Sequence, residues 1–296
     1  MAFSIHRDPE LFRDAVLYTA GQTGLSAILI EKDYYCSVLL DYLFRQEDTP
    51  LVFKGGTCLS KIYADFHRLS EDLDFTLPTP FEASRSVRRQ RIERVKEEIE
   101  GLEREIPEFI LKQNLTGHNI SRQYIAYVTY TSAVEAGAEA ARIKIEVGLR
   151  EELVLDPVRV SAQTLLVNPF TERPVANELF LTALALEEAY AEKLRAALTR
   201  REPAIRDYYD LHYAVNNLDL NLNGRQLADL VLKKLSLADN APIDVSPTRK
   251  EALLLQMETQ LKAVLRPEDY RKFHLDGIFE QIAELGIGIQ REEETL

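Results

Sequence analysis

Residues 54–75 read Lys54-Gly55-Gly56-Thr57-Cys58-Leu59-Ser60-Lys61-Ile62-Tyr63-Ala64-Asp65-Phe66-His67-Arg68-Leu69-Ser70-Glu71-Asp72-Leu73-Asp74-Phe75. The apolar run 50–53 ahead of them is expected to be a strand, and Leu73 to Leu77 a second strand that stops at the turn signals Pro78 and Pro80. Between the two, Cys58 to Ala64 has helical periodicity. Side chains alternate along a strand, so Asp72 and Asp74 face the same way, roughly 7 Å apart. Two carboxylates on one face repel unless a cation lies between them. Mg²⁺ suits that role, since it takes a few carboxylates together with phosphate oxygens. Gly55 and Gly56 let the backbone bend and approach a ligand closely. Thr57 stands at the expected N-terminus of the helix, where amide donors and the dipole favour a phosphate. The stretch reads as a phosphate cradle facing a metal site. The plainer reading, a glycine turn and a solvated acid pair, leaves unexplained two Asp residues inside a strand built from Leu73, Phe75 and Leu77.

Composition sets the frame. The chain has 296 residues, 46% of them hydrophobic, enough for one or two packed domains. Cys36 and Cys58 lie in apolar helical contexts without ligand spacing, which points to reduced core thiols in a cytoplasmic protein. No apolar run nears the roughly 20 residues that span a bilayer, and the N-terminus lacks the apolar core of a signal peptide. The net charge of −12 argues against broad nucleic-acid binding, so any RNA contact has to be local.

Taken in order, residues 8–20 form a helix capped by Asp8 and broken at Gly21 and Gly24, and 26–45 form a longer one. The second contains Ile30-Glu31-Lys32-Asp33-Tyr34, either an exposed charged turn or a support for the site. Residues 81–105 are basic first and acidic after. Arg85, Arg88 and Arg89, with Lys96, fall near one helical face, either contacting a polynucleotide backbone or forming a solvated helix with charges of both signs. Residues 121–131 and 142–150 alternate as strands of a hairpin joined by a loop at 135–139. In the second strand Ile143, Ile145 and Val147 point one way, and Lys144, Glu146 and Gly148 the other. The turn-rich stretch 168–174 marks a boundary, beyond which the pattern is helical to a frayed tail at 292–296. In the helical part Lys193 has Ala189, Tyr190, Ala196 and Ala197 at helical spacing, a confined lysine with room for a ligand beside it. Its removal is expected to cost little stability; the plainer reading is a snorkelling side chain. Asp207 and Asp210 share a helix face downstream.

Lys54-Gly-Gly-Thr with Arg68-x-Ser70-Glu71-Asp72-Leu-Asp74-Phe75 resembles the AbiEii/AbiGii toxin family, within the nucleotidyltransferase superfamily related to DNA polymerase beta. Ile30 to Tyr34, Lys193-Leu194 and Arg206-Asp207-x-x-Asp210-Leu211 are similar to further blocks of that family, so the resemblance covers about residues 26 to 215. It implies an α+β fold: a mixed nucleotidyltransferase-fold sheet flanked by helices over residues 1–167, and a helical C-terminal domain over 175–296 closing over it. It implies transfer of a nucleoside monophosphate from an NTP to an acceptor, in a toxin–antitoxin or phage-defence system, with a cognate antitoxin as partner and the tRNA acceptor end as target. Mg²⁺ or Mn²⁺ would be held by Asp72, Asp74 and Glu146, the last being the third carboxylate, where many relatives carry Asp. Lys54, Gly55, Gly56, Thr57, Ser70, Lys193, Arg206 and Asp207 would contact the nucleotide, with Asp72, Asp74, Glu146, Lys193 and Asp210 catalytic. Three alternatives stay open: transfer to a small molecule or a protein, kinase-like transfer of the γ-phosphate, and a catalytically silent binding subunit.

Overall fold

The computed structural model describes residues 3–46, 48–135, 141–176, 178–237 and 240–293. Of the expected loop at 135–139 only Glu135 is described, and of the tail at 292–296 only 292 and 293, which end a helix. The chain divides into two compact units, Met1–Leu184 and Ala185–Leu296.

The first unit opens with helices α1 (Pro9–Thr23) and α2 (Ala27–Leu43), followed by strand β1 (Val52–Lys54) and the short helix α3 (Gly55–Cys58). Then come β2 (Leu73–Thr76), α4 (Arg85–Glu100), α5 (Leu102–Glu105), β3 (Phe109–His118), β4 (Gln123–Tyr130), β5 (Ala141–Gly148), β6 (Val158–Ala162) and β7 (Leu179–Ala183). Asp8 caps α1 by accepting the Leu11 amide, and Gly24 ends it at φ 70°. The helix runs through Gly21, where a side chain would meet nothing, so that glycine does not break it.

Seven strands form one mixed sheet in the order β3-β4-β5-β2-β1-β7-β6. The expected hairpin is present: β4 and β5 pair antiparallel from Gln123 opposite Gly148 to Tyr130 opposite Ala141. Ile143, Ile145 and Val147 are buried, as are Tyr124, Ala126, Val128 and Tyr130. They join the aromatic residues of α1 and α2 in a core where Tyr35 stacks on Tyr130 with ring centroids 3.9 Å apart. The sheet thus has a buried face and a polar face, and the polar face carries the acids.

The stretch after 174 is not helical throughout. β7 pairs parallel with β1 and antiparallel with β6, so the first unit extends to Leu184 and holds the turn-rich segment 168–174 inside it. Leu179 to Ala183 runs directly into the Leu/Ala pattern of the next helix, and its pairing with β6 along its length and with β1 at its end makes it a strand. The second unit is helical: α6 (Leu186–Thr199), α7 (Ile205–Asn217), α8 (Arg225–Leu235), α9 (Pro247–Leu254), α10 (Pro267–Lys272) and α11 (Leu275–Glu293). Pro247 and Pro267 open their helices, where a missing N–H costs nothing. Tyr208 of α7 stacks on Phe279 of α11 at 5.8 Å within its core.

Candidate active site

β1 ends at Lys54 and the chain turns at once into α3 through Gly55, whose φ is +77°. That conformation favours glycine, and so does space: a Cβ at Gly55 would lie 2.4 Å from Asp74 Oδ2. A Cβ at Gly56 would lie 2.4 Å from Arg68 Nη2 and 3.1 Å from Ser70 Oγ. The glycine turn therefore rests on Asp74, Arg68 and Ser70 and approaches all three because it has no side chains. Thr57 is buried, and its hydroxyl donates to the Asp72 carbonyl at 2.5 Å. It ties the turn to the acidic strand and is not itself a free phosphate donor. α3 continues into a widened turn, Leu59–Tyr63, in which the Ala64 amide donates to the Leu59 carbonyl at 2.9 Å.

Behind the turn, the charged segment of α2 supports the site and is not an exposed turn. Lys61, in the widened turn, is fully buried with its ammonium 2.7 Å from Asp33 Oδ1 and donating to Ser37 Oγ at 2.7 Å. Lys32 pairs with Glu71 at 2.8 Å. Glu31, fully buried, accepts the Ala133 amide and the Ser132 hydroxyl, each at 2.6 Å.

Register brings the acids together. Lys54 is the β1 partner of Asp74, and Asp74 the β2 partner of Glu146 on β5. Neighbouring strands lie about 4.8 Å apart, so the Glu146 position adjoins that of Asp74. Asp72 and Asp74 are half-buried while Leu73 and Phe75 between and beyond them are buried. The Asp74 carboxyl is pushed up to about 6, first by burial and then by the charges of Glu146 and Asp72, with Lys144 and Lys54 pulling the other way. Glu146 behaves differently. Burial raises it, but Lys144, Gln123 and Lys54 outweigh burial and hold it below the ordinary carboxylate range. The Lys144 ammonium is 2.8 Å from Glu146 Oε2, and Gln123 Nε2 donates to Oε1 at 2.6 Å.

These donors suit a hard divalent cation, being carboxylate oxygens short of positive charge at Asp74. Among the described residues, however, no three His, Cys, Asp or Glu side chains converge on a common metal position. Glu146, expected as the third ligand, has both oxygens engaged by Lys144 and Gln123. Sequence reasoning passed over both of those partners. Lys144 was legible, two residues from Glu146 on the same strand face. Gln123 was not, because only the β4–β5 register sets it beside Glu146.

Lys193, Asp207 and Asp210 come together within the second unit. The Lys193 ammonium is 2.7 Å from Asp207 Oδ1 and 2.9 Å from Asp210 Oδ2. Asp207 also pairs with Arg200 at 3.0 Å. Burial raises the Asp207 carboxyl, but Lys193 and Arg200 together bring it below its usual range. Asp207 is 4% exposed and Asp210 0%. Lys193 is confined, as its small neighbours suggested, but its ammonium is clamped by two buried carboxylates and does not snorkel into water. Arg206, in the first turn of α7, is half-buried.

On α4, Arg85 and Arg89 are exposed, but Arg88 is not. It is buried and donates to the Leu149 carbonyl at 3.2 Å and the Phe81 carbonyl at 2.7 Å. Arg88 therefore fastens α4 to the sheet and is withdrawn from any nucleic-acid surface. Arg94 is also committed, forming a bidentate pair with Asp48 at 2.7 and 2.8 Å.

A family model, "Nucleotidyl transferase AbiEii toxin, Type IV TA system", matches residues 38–283. No match is found among curated proteins. Among solved structures, "MenT4, nucleotidyltransferase toxin Rv2826c from Mycobacterium tuberculosis H37Rv" superposes with a TM-score of 0.56 at 21% identity, covering 93% of this chain and 88% of that one. The crystal structure of JHP933 from Helicobacter pylori superposes with a TM-score of 0.50 at 20% identity, covering 92% and 95%. At these identities the likeness is one of fold. Among the described residues no helix is long and apolar enough to cross a membrane.

Proposed function

The chain belongs to the AbiEii nucleotidyl transferase toxin family of type IV toxin–antitoxin systems, and from that premise we propose that it transfers a nucleoside monophosphate from an NTP to the acceptor end of tRNA. The observation that carries this reading is the seating of the Gly55-Gly56 turn on Asp74, at a distance no other residue would allow. Backbone amides of such a turn hold the β- and γ-phosphates, with Lys54 and Ser70 at its flanks. Asp72 and Asp74 hold Mg²⁺ or Mn²⁺, which when bound offsets charge on the reacting phosphates. Glu146 keeps a negative charge beside that pair. Lys193, oriented by Asp207 and Asp210, supplies a compact cation to the triphosphate, with Arg206 assisting; the motif resemblance supports these roles. Arg85 and Arg89 are left to meet the RNA backbone. An antitoxin holds the activity in check in the cytoplasm.

Incubation of the protein with each α-labelled NTP and total RNA tests this reading. Label in RNA of tRNA size, removed by Asp72→Asn, is expected. Label only in protein or in small molecules would overturn the assigned acceptor, and no label anywhere would overturn the reading itself.

A further inference from the structure

The two faces of the sheet differ in charge as well as in burial. Among the Lys, Arg, Asp and Glu residues of β3, β4 and β5, three are basic, Lys112, Arg142 and Lys144, and one is acidic, Glu146. The whole chain has a net charge of −12, so these strands stand out as locally positive. Arg142, Lys144 and Glu146 follow one another at two-residue spacing on β5 and share the polar face. Across the pairing, Tyr127 of β4 stands opposite Lys144, and Ile125 opposite Glu146. Tyr127 and Ile125 are half-buried, and Arg142 is exposed. The Lys144 ammonium is shared with Glu146 at 2.8 Å. The Arg142 guanidinium lies over the Tyr127 ring, 4.6 Å from its centroid. That cation–π contact fixes the guanidinium, and because Arg142 is exposed, its plane can take a second flat group.

We infer that the polar face of β4 and β5 is a platform for the single-stranded end of an RNA acceptor, on which an unstacked base lies against the Arg142 guanidinium, backed by Tyr127. This assignment rests on the proposed transfer to an RNA end. Arg142 is four residues from Glu146 along one strand, roughly 13 Å, and Glu146 is the register partner of Asp74. The platform therefore holds a nucleotide upstream of the reacting end, and Arg142 binds the acceptor without touching the reacting atoms. Single-stranded RNA matches both observations. Its bases offer flat faces to a guanidinium backed by a ring, and its phosphates answer the local positive charge. An acidic polypeptide would answer the charge alone. No bond is made or broken at this surface.

Binding of the folded full-length protein to a short fluorescent single-stranded RNA, followed by anisotropy without NTP, tests this apart from activity. Arg142→Ala should weaken binding roughly tenfold, the scale of one lost base stack. Arg142→Lys keeps the charge but loses the plane, and should recover little. Tyr127→Phe keeps the ring and should bind like the wild type, whereas Tyr127→Ala should not. A strand of the same length without bases should bind the wild type and Arg142→Lys alike. Undiminished RNA binding by Arg142→Ala, full rescue by Arg142→Lys, or an equal loss on the strand without bases would overturn the inference. Displacement of the RNA by polyglutamate as readily as by unlabelled RNA would overturn it in favour of an acidic polypeptide. With any of these results, wild-type labelling of tRNA would leave the proposed reaction standing. No binding of RNA by the wild type would overturn the platform, and with no labelling of RNA it would overturn the assigned acceptor too.

Discussion

A methyl group at position 55 would collide with the Asp74 carboxylate, and φ of +77° would strain it even without the collision. Gly55→Ala should therefore lose about 1–3 kcal/mol of stability, read by chemical denaturation, and most of its nucleotide transfer. Asp72 is a different case. Removing one of two repelling charges should leave the melting temperature unchanged or higher, while transfer falls at least about a hundredfold. For Lys193 the structure reverses the expectation drawn from its small neighbours. Lys193→Ala takes from two buried carboxylates the ammonium they share. Breaking a buried pair this way costs about 3–5 kcal/mol, so a large drop in melting temperature is expected, and an unchanged one would contradict the clamp. The placement of the candidate acids was legible where spacing alone decides: Asp72 and Asp74 by alternation, Asp207 and Asp210 by i and i+3. Arg88 was also legible in retrospect, since Arg88, Ile92, Val95 and Ile99 form one buried helical stripe. Counting charge hid what position showed.

On α4, Glu98 shows what happens to an acid carried toward the core by its helix. Its carboxyl is pushed up to about 7, chiefly by burial, with Arg94 and Arg45 opposing. The folded protein thus holds a proton that the unfolded chain releases near pH 4. That contribution is fully present below the unfolded value and is lost as the pH rises through about 7. Glu98→Gln, which cannot ionise, should gain melting temperature relative to wild type as the pH goes from 5 to 8. A constant difference would contradict the shift. The same helix separates structure from recognition: Arg88→Ala should destabilise the fold, whereas Arg85→Glu/Arg89→Glu should leave stability intact and flatten the salt dependence of RNA binding. Unaltered RNA affinity in that double variant would make the exposed arginines a solvated face. Elements were readable where an apolar or alternating run was long, as in α2 and the β4–β5 hairpin. β7 was not, because five residues in a Leu/Ala run carry no local sign of a parallel partner on β1.

At the scale of the whole molecule, the chain divides into a sheet unit and a helical unit, and each holds some of the candidate residues. The first holds the glycine turn with the acids, and the second the clamped lysine. The motif pattern anticipated both parts; what it could not give was the company each acid keeps, which depends on strand register and on buried partners such as Lys61 with Asp33. The proposed reaction passes the α-phosphorus of an NTP to an RNA end. Parallel incubation with α-labelled and γ-labelled NTP and tRNA, for the wild type and for folded Asp72→Asn, tests it most directly. α-Label on tRNA is expected with the wild type only, and γ-label released with pyrophosphate. Transfer of γ-label to the acceptor, or α-label on tRNA undiminished by Asp72→Asn, would contradict it.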